Sequence, residues 1–148
     1  MLDLLAISNI TIMAVIFGYA VSASAVAHPA MMASSREVAV GFFKPFFHKS
    51  AHLQLILSLI VLAIALVQGF LGGGWLWFSG AAILQLSGPY TIKILMPVNN
   101  RIMADGADVQ SDEMGKDLAS WGALHMPRTV LAAIIFILFA GLGVMGGA

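Results

Sequence analysis

In the last third of the chain, Trp121, His125 and Arg128 follow one another at intervals of four and three residues. On a helix this spacing stacks an indole, an imidazole and a guanidinium on one face. The imidazole, with an ordinary pKa of about 6.5, is suited to take and return a proton near neutral pH. A guanidinium beside it is suited to hold an anion. Upstream, Lys93, Pro97 and Asn100 recur at four and three residues, with Asn99 and Arg101 adjoining. His48 and His52 are also four apart, the spacing at which two imidazoles can share a metal or haem, although no third ligand adjoins them. A plainer reading fits all of these spacings. Trp and Arg anchor helices at a membrane boundary, Lys93 snorkels above a proline-terminated helix, and the histidines are interfacial polar groups.

These residues must be positioned by helices in a membrane. Of 148 residues, 60% are hydrophobic and only 9% charged, and the mean hydropathy is +0.96. A soluble domain carries about 25% charged residues. Four apolar stretches, Leu4–Ala27, His52–Leu71, Trp75–Met96 and Thr129–Met145, are each of the length that crosses a hydrocarbon core about 30 Å thick. The expected fold is therefore all-α: a polytopic membrane protein forming one antiparallel bundle of four transmembrane helices over residues 1–148. Gly72-Gly73-Gly74 leaves room for a tight turn and nothing more, so the second and third helices are antiparallel neighbours. Gly18, Ser22 and Ala25 define a small-residue face suited to close packing of the first helix.

All seven Lys and Arg residues fall in or beside two connections, about His28 to Ala51 and about Pro97 to Arg128. By the bias of basic residues toward cytoplasmic loops, both connections face the cytoplasm and both termini lie outside, as expected in a bacterial inner membrane. The amino-terminal end has only Asp3, and Gly-Gly-Ala follows Met145. The start lacks the basic residues of a secretory signal, so the first stretch reads as a retained span. In the second connection Ser111 is placed to cap a helix whose first turn carries Asp112 and Glu113.

With no cysteine, thiol–disulfide chemistry, iron–sulfur clusters and thiolate metal sites are excluded. No phosphate-binding or dinucleotide motif is present, and no basic stripe suggests nucleic acid. No cofactor and no metal is expected.

Pro-Tyr-Thr at 89–91, Pro-Val-Asn-Asn-Arg-Ile at 97–102 and Trp-Gly-Ala-Leu-His-Met-Pro-Arg-Thr at 121–129 resemble the anthrone oxygenase-like family of small four-helix membrane proteins. Its members show Pro-x-Asn-x-Arg-Leu after the third helix and Trp-x-x-x-His-x-x-Arg-Thr opening the fourth. His28-Pro29 and Gln54 match weaker features. Two positions depart from the pattern. Ile102 replaces Leu, and Pro127 stands where a small or branched residue is usual, so a start or kink of the fourth helix is expected there.

The resemblance implies a cofactor-free monooxygenase of anthrone type, in which dioxygen oxidises an electron-rich phenolic ring. Its site residues are then His125 as base, Arg128 and Arg101, with Lys93, as anion partners, Asn99 and Asn100 as donors, and Trp121 with Phe42, Phe43, Phe46 and Phe47 as a wall for the ring. The implied partners are the lipid bilayer and an aromatic or quinone-like small molecule. Two other classes remain open. One is a non-enzymatic structural or lipid- or quinone-binding subunit of a homo-oligomer or larger membrane complex. The other is a metal or haem protein using His28, His48, His52 or His125.

Overall fold

The computed structural model describes residues 1–146; Gly147 and Ala148, the end of the terminal tail noted above, lie outside the described residues. Four helical columns form the bundle, and no strand occurs among the described residues. Helix α1 spans Leu2–Ala33, with a π-helical turn at Ala23–Ala27. Helix α2 spans Arg36–Phe70 and helix α4 spans Asp112–Gly146. The third column, α3, occupies residues 75–102 in pieces: Trp75–Leu84, Ser87–Tyr90, a π-helical turn at Thr91–Leu95, and Met96–Ile102. Each column packs on its neighbours in chain order, and α1 closes the ring against α4. Helices α1, α2 and α4 are long and apolar enough to cross a membrane. The chain is an integral membrane protein of helical-bundle type.

Two of the expected boundaries move. The first connection shrinks from about His28–Ala51 to Ser34 and Ser35, because α1 continues through Pro29 and α2 begins at Arg36, with the Ser35 hydroxyl accepting from the Val38 N–H. Glu37, Lys44, His48 and Lys49 lie on the exposed face of α2, so their charge marks water rather than a break in the helix. Pro127 likewise neither starts nor ends α4, which passes through it. The Ser111 cap is present, its hydroxyl accepting from the Met114 N–H at 3.2 Å.

At 35 residues, α2 and α4 are about 50 Å long, against about 30 Å of hydrocarbon. Apart from Val38 and Phe42, the exposed large apolar side chains on α2 run from Leu53 to Phe70, and those on α4 from Met126 to Met145. The remaining turns project past this band at the charged end. There Arg36 donates to the carbonyls of Gln110 and Ser111, and Lys44 pairs with Asp105 at 3.1 Å. At the opposite end Gly72 and Gly74 adopt φ of 84° and 91°, which makes the tight turn possible.

The interior has two parts. Met13, Ile16, Ala20, Val61, Ala65, Trp77 and Phe139 belong to the cluster nearer the termini, where Asn9 Nδ2 also donates to Gln68 Oε1 at 3.0 Å. Phe43, Leu95, Ile102, Leu118 and Trp121 belong to the cluster at the charged end. The expected small-residue packing face is corrected: Gly18, Ser22 and Ala25 are exposed, and a Cβ on Gly18 would meet nothing within 4 Å. The packing face of α1 runs instead through Met13, Ile16, Ala20 and Ala23.

Candidate active site

A cavity lies where the two core clusters meet, at the charged edge of the exposed apolar band. Helix α1 contributes Tyr19, Ala20 and Ala23; α2 contributes Phe46, Phe47, Ser50 and Gln54; α3 contributes Ser87 and Asn99; α4 contributes Trp121, His125 and Arg128. The cavity volume is about 40 Å³, enough for water and below the 300 Å³ or so of a pocket that holds a drug-sized ligand.

Trp121 and His125, four residues apart on α4, stack with ring centroids 4.8 Å apart and planes 17° from parallel. Both are buried. Trp121 Nε1 donates to Asn99 Oδ1 at 3.0 Å, tying α4 to the last piece of α3. Phe43 meets the indole edge-on at 5.6 Å and 88°, and His28 packs beside it at 5.7 Å. His28 Nε2 donates to the Leu118 carbonyl at 2.9 Å. Gly122 makes that approach possible, since a Cβ there would sit 2.3 Å from His28 Cε1.

His125 Nδ1 is 2.9 Å from Ser24 Oγ, whose hydroxyl lies 2.8 Å from Thr129 Oγ1; Thr129 in turn donates to the Ala20 carbonyl at 3.2 Å. The other ring nitrogen, Nε2, has no hydrogen-bond partner. It is not sealed either, because the enclosed side-chain polar atoms without a partner among the described residues are Asn9 Oδ1 and Arg128 Nε. His125 Nε2 therefore keeps accessible surface, and the residue lines the cavity. Arg128 lines the same cavity, and its Nε–H is enclosed and has no acceptor. Tyr19 donates to Ser50 Oγ, and Ser50 to the Phe46 carbonyl, which leaves the Tyr19 oxygen free to accept. Ser87 and Arg128 also border an apolar groove on the outer surface between α3 and α4, with Leu86, Tyr90, Pro127 and Leu131.

Of the site residues expected from sequence, Asn99, Trp121, His125 and Arg128 come together. Asn100 and Arg101 do not. Both are exposed, and Arg101 forms a bidentate pair with Asp117 at 2.6 and 2.8 Å, which raises the guanidinium pKa above its ordinary value. Lys93 also faces outward. Pro97 is exposed as well, so the interval linking Lys93, Pro97 and Asn100 does describe one face, and that face points outward. Among the phenylalanines, Phe42 is exposed and Phe43 belongs to the core, while Phe46 and Phe47 line the cavity. His48 and His52 are exposed, with His52 Nδ1 donating to the His48 carbonyl.

Sequence reasoning missed Tyr19, Ser24, Ser50 and Thr129 as members of the site. Thr129 had a signal, standing four residues after His125. Ser24 and Ser50 had none beyond being small polar residues beside apolar runs. A family model described as anthrone oxygenase matches residues 42–138, well over half of the chain. No curated protein and no solved structure matches the chain.

Proposed function

The chain belongs to the anthrone oxygenase family, and from that premise we propose that its cavity binds a planar phenolic ring and oxidises it with dioxygen. The observation that carries the reading is that His125, with Nε2 unpaired and not enclosed, and Arg128, with an enclosed Nε–H that has no acceptor, line one cavity. A buried donor without a partner costs about 1–3 kcal/mol, more when charged, and an ionisable residue inside a membrane bundle is by default a functional candidate. An anionic ligand that draws the Arg128 side chain toward the cavity satisfies it.

In the proposed reaction a ring methylene becomes a carbonyl. His125 Nε2 removes a proton from the methylene carbon, whose acidity comes from delocalisation of the anion onto the ring oxygens. The carbanion passes one electron to dioxygen, and the resulting radical and superoxide join to form a carbon–oxygen bond. The imidazolium returns its proton to the peroxide. Loss of the second methylene hydrogen as a proton breaks the oxygen–oxygen bond, leaving a carbonyl and releasing water. Arg128 meets the negative charge of the phenolate and then of the peroxide. Trp121, Phe46 and Phe47 flank the ring. The small cavity requires the two phenylalanines to swing aside on binding. Pro45, directly before them in α2, removes one backbone hydrogen bond from that wall.

The test is turnover of an anthrone by the purified chain in bilayers. His125→Ala should reduce kcat by about 10²–10⁴-fold with the helical fold kept; unchanged turnover rejects the base. The apolar groove between α3 and α4 favours a second reading, a non-enzymatic subunit that holds a lipid or quinone. That reading gains if the chain co-purifies with larger partners and binds the ring without oxidising it.

A further inference from the structure

We propose that Ser24 and Thr129 are positioning residues that fix His125 in the tautomer with its proton on Nδ1, leaving the Nε2 lone pair free. This rests on the reading of His125 as a base and explains how its protonation pattern is set.

The assignment follows from counting protons along the chain of contacts. The Ala20 carbonyl can only accept, so Thr129 Oγ1 spends its one proton on it at 3.2 Å. Thr129 Oγ1 must then accept at its 2.8 Å contact with Ser24 Oγ, which spends the only proton of Ser24. Ser24 Oγ has nothing left to donate, so its 2.9 Å contact with His125 Nδ1 requires the imidazole to donate. In the neutral ring the proton is then on Nδ1 and Nε2 is bare. Any other placement leaves one of the three contacts with two acceptors facing each other. The contact between Thr129 Oγ1 and His125 Nδ1, at 3.4 Å, is too long to replace Ser24.

The backbone holds the relay at both ends. Ala20 and Ser24 are four residues apart on α1, and His125 and Thr129 are four apart on α4, so two helix faces present the four groups to one another. Ser24 sits inside the π-helical turn Ala23–Ala27, a type of wide turn found often at functional sites. On its other face the imidazole lies against Trp121, which restrains its rotation.

Nitrogen NMR of the full chain, labelled with ¹⁵N-histidine in detergent micelles or bilayers at a pH where the ring is neutral, reads the tautomer directly. His125→Gln identifies the resonances. The unaltered protein should show a protonated Nδ1 and an unprotonated Nε2 for His125, and an Nε2–H form overturns the proposal without any variant being needed. Ser24→Ala should shift the ring toward the Nε2–H form, and Ser24→Thr should restore the original pattern. Thr129→Val should also disturb the tautomer, because Ser24 then keeps a proton to offer Nδ1; a spectrum unchanged by both Ser24→Ala and Thr129→Val sinks the relay. If the protein turns over an anthrone, Ser24→Ala should lower kcat by about tenfold or more and leave KM in place. The two readings fail separately. A correct tautomer in a chain without turnover rejects the oxidase and keeps the relay, whereas turnover dependent on His125 from an Nε2–H ring does the reverse.

Discussion

Trp121 is held at three points at once: its Nε1 donates to Asn99 Oδ1 at 3.0 Å, Phe43 meets its edge, and one face carries the His125 ring. The contact between Asn99 and Trp121 is a side-chain bond between buried groups that ties the broken third column to the fourth helix. It fixes the wall of the cavity and the residue beneath the imidazole together.

Removing either partner of that bond strands the other. Trp121→Phe and Asn99→Leu should each destabilise the bundle by about 1–3 kcal/mol. Combined, the two should cost measurably less than their sum, with a coupling of about 0.5–3 kcal/mol. Unfolding in mixed detergent, followed by circular dichroism, gives the four values needed; strict additivity contradicts the pairing.

Gly122→Ala places a methyl group 2.3 Å from the His28 ring. The ring must leave its position, lose its bond to the Leu118 carbonyl and loosen Trp121, at a cost of about 1–3 kcal/mol. His28→Ala in the same chain should relieve most of the clash. If Gly122→Ala alone is neutral in the unfolding assay, the His28 contact is dispensable.

Arg101 matches the family motif yet points away from the cavity, on an exposed pair with Asp117. Arg101→Gln should leave ring binding and turnover unchanged, while Arg128→Gln should weaken both. Titration of a phenolic ring by quenching of Trp fluorescence separates the two variants, and equal losses would return Arg101 to the site.

Orientation can be read with the native absence of cysteine. Leu2→Cys should react with an impermeant thiol reagent added to intact cells, and Asp108→Cys should react only after the cells are opened. The reverse pattern inverts the assignment of the charged end to the cytoplasm.

Much of the bundle was legible because its signals are periodic or compositional. Apolar run length located the four columns, and the interval joining Trp121, His125 and Arg128 survived because α4 is continuous through Pro127. The misreadings have different physical causes. Spacing places Lys93, Pro97 and Asn100 on one face without saying which way it points, and all three are exposed. Charge on an exposed helix face reads as loop, which hides the first four turns of α2 in an expected connection. Ser50 and Tyr19 reach the cavity, and Ser24 reaches His125, only through tertiary packing of α1 against α2 and α4, and no local pattern marks such a meeting.

Ser87 and Arg128 border both the cavity and the apolar groove between α3 and α4. A hydrophobic ring arriving by that groove comes from the lipid phase, so its occupancy is governed by its mole fraction in the bilayer and not by its aqueous concentration. An affinity measured in this protein accordingly scales with the amount of lipid or detergent in the sample. Two laboratories using the same ring and different lipid-to-protein ratios would obtain different apparent constants from one intrinsic one.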